Sequence, residues 1–165
     1  MQLNFIKLNL ALFPKIMNKT AADDANELLK LDNQLCFPLY ALSRMFTKAY
    51  QPYLQALDMT YPQYLVLMLL WEHQELTVKE LGEKLLLDSG TLTPLLKRME
   101  QHQWLSRRRD PSDERSVIIK LLPAGKGLQA PACQIPMQLA ERLQLTPTEF
   151  ENLRAQLYKL LTMLR

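Results

Sequence analysis

Asp88-Ser-Gly-Thr-Leu-Thr-Pro-Leu-Leu-Lys-Arg-Met-Glu100 is the stretch that decides the fold. Leu92, Leu95, Leu96 and Met99 step by three, one and three, which places them on one helical face. Ser89, Thr91, Thr93, Lys97 and Arg98 fall mostly off it, so the predicted helix buries an apolar back and presents a polar leading edge. Pro94 constrains the start. A proline within the first helical residues loses no intrahelical bond, which fits a start near Gly90 or Thr91. The hydroxyl residues then sit at the helix N-terminus, where free backbone N–H groups can hold a phosphate. A DNA recognition helix has this form; taken alone, the stretch reads equally well as a capped surface helix.

Its neighbours decide between the two. Upstream, Thr77 and Glu80 form a capping-box pattern for a helix over Val78–Leu87, preceded by a short extended piece, Glu75-Leu-Thr77. The connection Leu87–Ser89 is only long enough for a tight turn between two helices. Downstream, Trp104–Arg109 and Ser116–Leu122 read as extended, the second rich in β-branched residues, with the turn Asp110-Pro-Ser-Asp-Glu between them. Strand, helix, helix, hairpin is the order of a winged helix-turn-helix. Charge agrees: from Lys97 to Lys120 seven basic residues oppose four acidic ones, so this segment holds +3 and the rest of the chain nets zero.

The remaining chain is predicted to be helical. Leu35, Leu39, Leu42, Phe46, Tyr50, Tyr53 and Leu57 recur every three or four residues from Leu31 onward. Pro38 suits a first turn, and Pro52 predicts a kink or break. Cys36 then lies at or near a helix N-terminus, where the dipole favours a thiolate. A second helix, apolar nearly all round through Tyr64, Leu65, Met68, Leu69 and Trp71, begins at a Thr60 or Tyr61 boundary. Beyond Pro123 an amphipathic segment interrupted by Pro131 and Pro136 runs to about Leu145. Thr146-Pro-Thr-Glu149 starts a last helix striped by Phe150, Leu153, Leu157, Leu160, Leu161 and Leu164. So apolar a terminal helix needs a partner surface; a symmetric dimer through the first and last helices is favoured over packing within the monomer.

These segments define a mainly α fold with a small β-wing: a winged helix-turn-helix flanked by N- and C-terminal dimerisation helices. With 165 residues and only four glycines, the chain suits one domain. Residues 1–30 are expected to be a poorly ordered extension and 31–165 a single domain, with 60–122 the DNA-reading module and 31–59 and 123–165 the dimerisation helices. Met17 is a candidate true start, which would make the first sixteen residues an extension. Two cysteines, Cys36 and Cys133, make no disulfide framework, and no Cys/His cluster suggests zinc, so no metal or cofactor is expected. No apolar run approaches the ~18 residues of a membrane span and no signal-peptide cleavage pattern occurs, so a cytoplasmic protein is expected.

Several stretches together resemble the MarR family of winged-helix repressors, and within it the organic hydroperoxide sensors of OhrR type. They are Leu35-Cys-Phe-Pro-Leu-Tyr40, Leu57-Asp-Met-Thr-Tyr-Pro-Gln-Tyr-Leu-Val66, Thr77-Val-Lys-Glu-Leu-Gly82, Leu87-Asp-Ser-Gly-Thr-Leu-Thr-Pro-Leu-Leu-Lys-Arg98 and the wing's Asp113-Glu-Arg115. The match covers about Leu31 to Pro136. Asp-x-Arg is common to the broad family, whereas the cysteine stretch, Thr-Tyr-Pro-Gln-Tyr and Ser-Gly-Thr-Leu-Thr-Pro together mark the hydroperoxide sensors.

The resemblance implies a homodimer that represses transcription until a reactive cysteine is oxidised by an organic hydroperoxide. Cys36 matches the sensing cysteine, and Tyr50 and Tyr61 match two tyrosines whose hydroxyls contact it, from the opposite subunit in a dimer. Apolar Phe37, Met45 and Phe46 favour an alkyl or lipid peroxide over hydrogen peroxide. Cys133 is either the partner that resolves the oxidised thiol or an inert one; in single-cysteine members a small thiol does that work. On double-stranded DNA, Ser89, Thr91, Thr93 and Lys97 are expected to meet the major groove and phosphates, and Arg98 either. Arg115, held by Asp113, is expected in the minor groove, and Arg107, Arg108 and Arg109 on phosphates or in solvent. A dimer implies a pseudo-palindromic operator. Two other readings remain: a MarR-type repressor released by a small phenolic ligand between its dimerisation and DNA-binding parts, and a thiol peroxidase. The chain's commitment of its most distinctive residues to a DNA-reading module favours a non-enzyme.

Overall fold

The computed structural model describes residues 27–165, so the expectations for residues 1–16, and for all but the last four of 1–30, lie outside the described residues. The chain divides into two compact units, Met1–Phe46 and Thr47–Arg165. In the first, a 3-10 turn at Leu31–Asn33 leads to α1, Cys36–Gln55, which runs on into the second. Pro52 does not break α1; the helix continues three residues further and stops at a turn where Asp58 takes a φ of 53°. A proline in the last turn forfeits one hydrogen bond, and a helix about to end tolerates that.

In the second unit the elements are α2 (Tyr61–His73), β1 (Glu75–Thr77), α3 (Val78–Leu85), α4 (Ser89–Gln101), β2 (Leu105–Arg109) and β3 (Val117–Leu121). They are followed by α5 (Pro123–Gly127), α6 (Gln129–Ala132), α7 (Ile135–Leu143) and α8 (Pro147–Met163). The strands make one antiparallel sheet in the order β1-β3-β2, with Leu76 opposite Ile119 and Arg107 opposite the same residue on the other side. The expected strand, helix, helix, hairpin order is therefore present, with the wing strands each trimmed by one residue at an end or two.

Local chemistry sets these boundaries. Thr60 starts α2, its backbone N–H donating to Gln63 Oε1 at 2.7 Å. Thr77 starts α3 by the expected reciprocal box: its N–H donates to Glu80 Oε2 at 2.7 Å and the Glu80 N–H donates to Thr77 Oγ1 at 3.1 Å. Leu86, with φ 57°, ends α3 in the left-handed conformation and turns the chain toward α4. Gly82 is needed for that turn, because a Cβ there would lie 2.8 Å from the Leu87 carbonyl oxygen. Gly125 is tighter still: a Cβ would meet the Trp104 carbonyl oxygen at 2.2 Å. That close approach lets the Gly125 carbonyl accept the Trp71 Nε1–H at 2.9 Å, joining α5 to α2.

The core lies within this unit. Val66, Leu67 and Leu70 of α2 meet Leu81 of α3, Leu92, Leu96 and Met99 of α4, and Leu105 and Ile119 of the sheet, all fully buried. The leucine face read from the sequence of α4 is thus the face that is buried. Of the positions expected to make α2 a core helix, Tyr64 is buried and Met68 is exposed; the deepest positions are instead Val66, Leu67 and Leu70. By contrast α8 buries nothing: Phe150, Leu153, Leu157 and Leu161 are all exposed. Among the described residues no helix is long and apolar enough to cross a membrane.

Candidate nucleic-acid interface and thiol site

α4 starts at Ser89, not at Gly90 or Thr91, because Asp88 is the cap: its Oδ1 accepts the Thr91 N–H at 2.8 Å. The Thr91 N–H and hydroxyl hold the Asp88 carboxyl below its usual range. A carboxylate thus takes the place at the helix start where a phosphate was expected. The earlier start also puts Pro94 past the first turn. With no N–H on Pro94, the Gly90 carbonyl loses its i+4 donor. One residue before Pro94, the Thr93 hydroxyl donates to the Ser89 carbonyl at 2.7 Å. Ser89, Thr91, Thr93, Lys97 and Arg98 are exposed and share the face opposite the buried leucines.

The wing is built by its turn. Asp110 Oδ1 accepts the Ser112 N–H at 2.8 Å and the Asp110 N–H donates to the Ser116 carbonyl at 2.9 Å. Asp113 Oδ1 accepts the backbone N–H of Arg115 at 3.0 Å. Asp113 therefore shapes the chain at Arg115, while among the described residues the Arg115 guanidinium pairs with no carboxylate. The three preceding arginines differ from one another. Arg107 pairs with Glu100 at 2.8 Å, Arg108 reaches Glu75 at 3.5 Å, and Arg109 has no carboxylate partner among the described residues. A groove of about 640 Å³ lies between α3, α4 and the wing, with Thr93, Arg107 and Arg115 on its walls. Ser89 and Thr93 of the polar edge of α4 are among its lining residues.

Cys36 is the first residue of α1, a free and exposed thiol. Tyr40 and Arg44 follow at i+4 and i+8 on the same helical face, with Arg44 Nη1 donating to the Tyr40 hydroxyl at 2.7 Å. In the second unit Tyr50 and Tyr61 meet, ring centroids 5.0 Å apart, and Tyr64 joins them at 6.0 Å from Tyr50. Burial raises all three phenols, and Tyr50, pressed also by Tyr61 and Tyr64, is pushed up to about 12. They remain protonated, hence hydrogen-bond donors, throughout the physiological range. Cys133, also free and exposed, caps the end of α6 and adds to the rise at Tyr64, after burial and Tyr61.

The family resemblance assigned Tyr50 and Tyr61 to a contact with Cys36, and Tyr64 is in the core as expected; that Tyr64 also meets Tyr50 was not anticipated. The available signal was the i, i+3 spacing of Tyr61 and Tyr64 on α2. These proton affinities have a measurable consequence. Because the folded protein holds these protons more tightly than the unfolded chain, stability is complete below pH ~10 and declines as the pH rises toward ~12. Spectrophotometric titration should find Tyr50, Tyr61 and Tyr64 ionising above the ordinary range. Tyr50→Phe should remove the latest of them; an unchanged titration curve in that variant would contradict the packing.

A polar-edged helix seated beside a three-stranded sheet whose hairpin carries arginines is the arrangement of a winged-helix DNA-binding regulator. The MarR family pattern matches residues 59–117. An organic hydroperoxide resistance transcriptional regulator of Bacillus subtilis is 53% identical over 133 residues, 81% of this chain and 90% of that protein. The chain belongs to the MarR family and is a transcriptional regulator of MarR type. Reduced AbfR bound to DNA superposes with a TM-score of 0.73 at 38% identity, covering 84% of this chain and 94% of that one. A mutant MarR from E.coli complexed with operator DNA gives 0.66 at 28% identity, covering 77% and 93%.

Proposed function

We propose that the chain is a redox-responsive repressor that senses organic hydroperoxides through Cys36 and releases its operator when Cys36 is oxidised. The observation that carries this reading is the free, exposed thiol at the first residue of α1, in a chain 53% identical to a hydroperoxide-resistance regulator. The Cys36 thiolate attacks the terminal peroxide oxygen, the O–O bond breaks, and the alkoxide takes up a proton and leaves as the alcohol. Sulfur is oxidised by two electrons to a sulfenic acid and the peroxide is reduced. Phe37 and Met45, both exposed on α1, suit an organic substituent.

The chain acts as a homodimer. The family resemblance, in which Tyr50 and Tyr61 of the opposite subunit contact Cys36, is one support for it. The bare apolar face of α8 supplies a surface for the second copy. In such a dimer Ser89, Thr91, Thr93, Lys97 and Arg98 read two major-groove half-sites of a pseudo-palindromic operator, and each Arg115, on a chain shaped by Asp113, enters the minor groove. Arg165, just past α8, donates to the Glu83 carbonyl of α3 at 3.1 Å, a direct bond from the dimer helix to the reading module. Oxidation that shifts α8 is thereby passed to α4.

The experiment is a gel shift on promoter DNA with and without cumene hydroperoxide, followed by reductant. Loss of binding that reductant restores is the expected result; unchanged binding under peroxide sinks the proposal. Non-reducing electrophoresis of the released protein tells the two roles of Cys133 apart. A covalent dimer lost in Cys133→Ser assigns it as the resolving thiol, and a monomer carrying a small thiol assigns it as a bystander.

A further inference from the structure

β2 carries three consecutive arginines, and one of them is held differently from the others. Glu100, in the last turn of α4, accepts the backbone N–H of Arg107 at 3.0 Å and its Nε–H at 2.8 Å. The backbone bond is available because β2 is an edge strand in the order β1-β3-β2, so its outward N–H groups lack a strand partner. One partly buried carboxylate thus fixes the height of β2 against α4 and occupies one edge of the Arg107 guanidinium. Arg109 and Arg115, on the same hairpin, have no such partner among the described residues.

We propose that Glu100 is a specificity-determining positioning residue for DNA binding. It withholds the Arg107 cation from phosphates and seats the wing, with Arg115, at a fixed place beside α4. The proposal rests on α4 and the wing being the DNA-reading surface. Non-specific affinity grows with the number of phosphates neutralised, each adding about 0.9 to the slope of log affinity against log salt. Sequence reading instead depends on where the reading groups stand. A carboxylate that holds one arginine therefore lowers affinity for random DNA and favours the operator.

Anisotropy titrations of the full-length chain across a KCl series provide the test. The probes are a duplex that the wild-type protein selects from a randomised pool, and a random duplex of equal length. Glu100→Gln should steepen the random-duplex slope by about 0.9 per freed arginine, which is about eightfold in affinity at ~0.1 M salt relative to 1 M. The operator-to-random ratio should fall by a similar factor. Arg107→Gln should leave the wild-type slope unchanged, and Glu100→Gln/Arg107→Gln should return to it.

A shallower slope in Arg107→Gln overturns the proposal, since Arg107 would already contact phosphate. So does a steepened slope that persists in the double variant, since general charge would then explain it. An unchanged slope in Glu100→Gln overturns it too. Thermal melts establish that each variant folds, and Arg107→Gln tests the idea independently of Glu100. If the wild-type protein selected no duplex at all, the reading of the surface would fail rather than the role of Glu100.

Discussion

Cys36→Ser is expected to bind operator DNA within about twofold of the wild type, the scale of a ±0.5 kcal/mol surface change. It is also expected to lose release by cumene hydroperoxide completely. The side chain is exposed and supports no core packing, so its replacement costs little of the fold. Serine keeps the size and a hydrogen-bonding group but gives no nucleophile at neutral pH and no oxidation ladder. Anisotropy with labelled operator, titrated with peroxide, checks both halves. Release that survives the substitution would turn attention to Cys133, or to a non-covalent ligand in the groove beside α4.

The second large effect is expected from α8. Leu157→Glu combined with Leu161→Glu should convert the dimer to a monomer in sedimentation and weaken operator binding by about 10²–10⁴. That range is what joining two half-site contacts in one molecule typically adds. Leu157 and Leu161 lie on the exposed apolar stripe, so charging them disturbs no buried contact within the chain. An ionised carboxylate in a dimer interface must instead be desolvated without a partner, which costs more than the leucine contact contributed. A double variant that stays dimeric and binds normally would place the interface elsewhere.

The sequence was informative where local chemistry decides structure. Thr77 with Glu80 and Thr146 with Glu149 are capping boxes whose partners are three residues apart, and both helices begin where those residues stand. The leucines of α4 share a face because helical spacing requires it, and that face is buried. Less was legible where the deciding partner is distant or is the backbone. Pro94 was expected in the first turn, yet it stands inside α4, which begins at Ser89. The need for glycine at 82 and 125 comes from the Leu87 and Trp104 carbonyls, which the sequence does not place.

The basic segment was legible, but not which of its cations are paired. Arg107, Arg108 and Arg109 look alike in a row, yet Glu100 and Glu75 take two of them. The mutual contact of Tyr50, Tyr61 and Tyr64 was not legible, since it joins two helices. Tyr64 reads as one more apolar position on α2, and only its distance to Tyr50 shows what it adds.

The central claim is that the oxidation state of one sulfur sets DNA affinity. It is tested most directly by measuring both quantities in one sample. Operator-bound protein is titrated with cumene hydroperoxide, sulfenic acid is trapped with dimedone, and the fraction of Cys36 modified is read by peptide mass spectrometry beside the fraction of DNA released. The account predicts that release follows Cys36 modification across the titration and is absent where Cys36 remains reduced. DNA released while Cys36 stays a thiol, or DNA retained after Cys36 is fully oxidised, would contradict it.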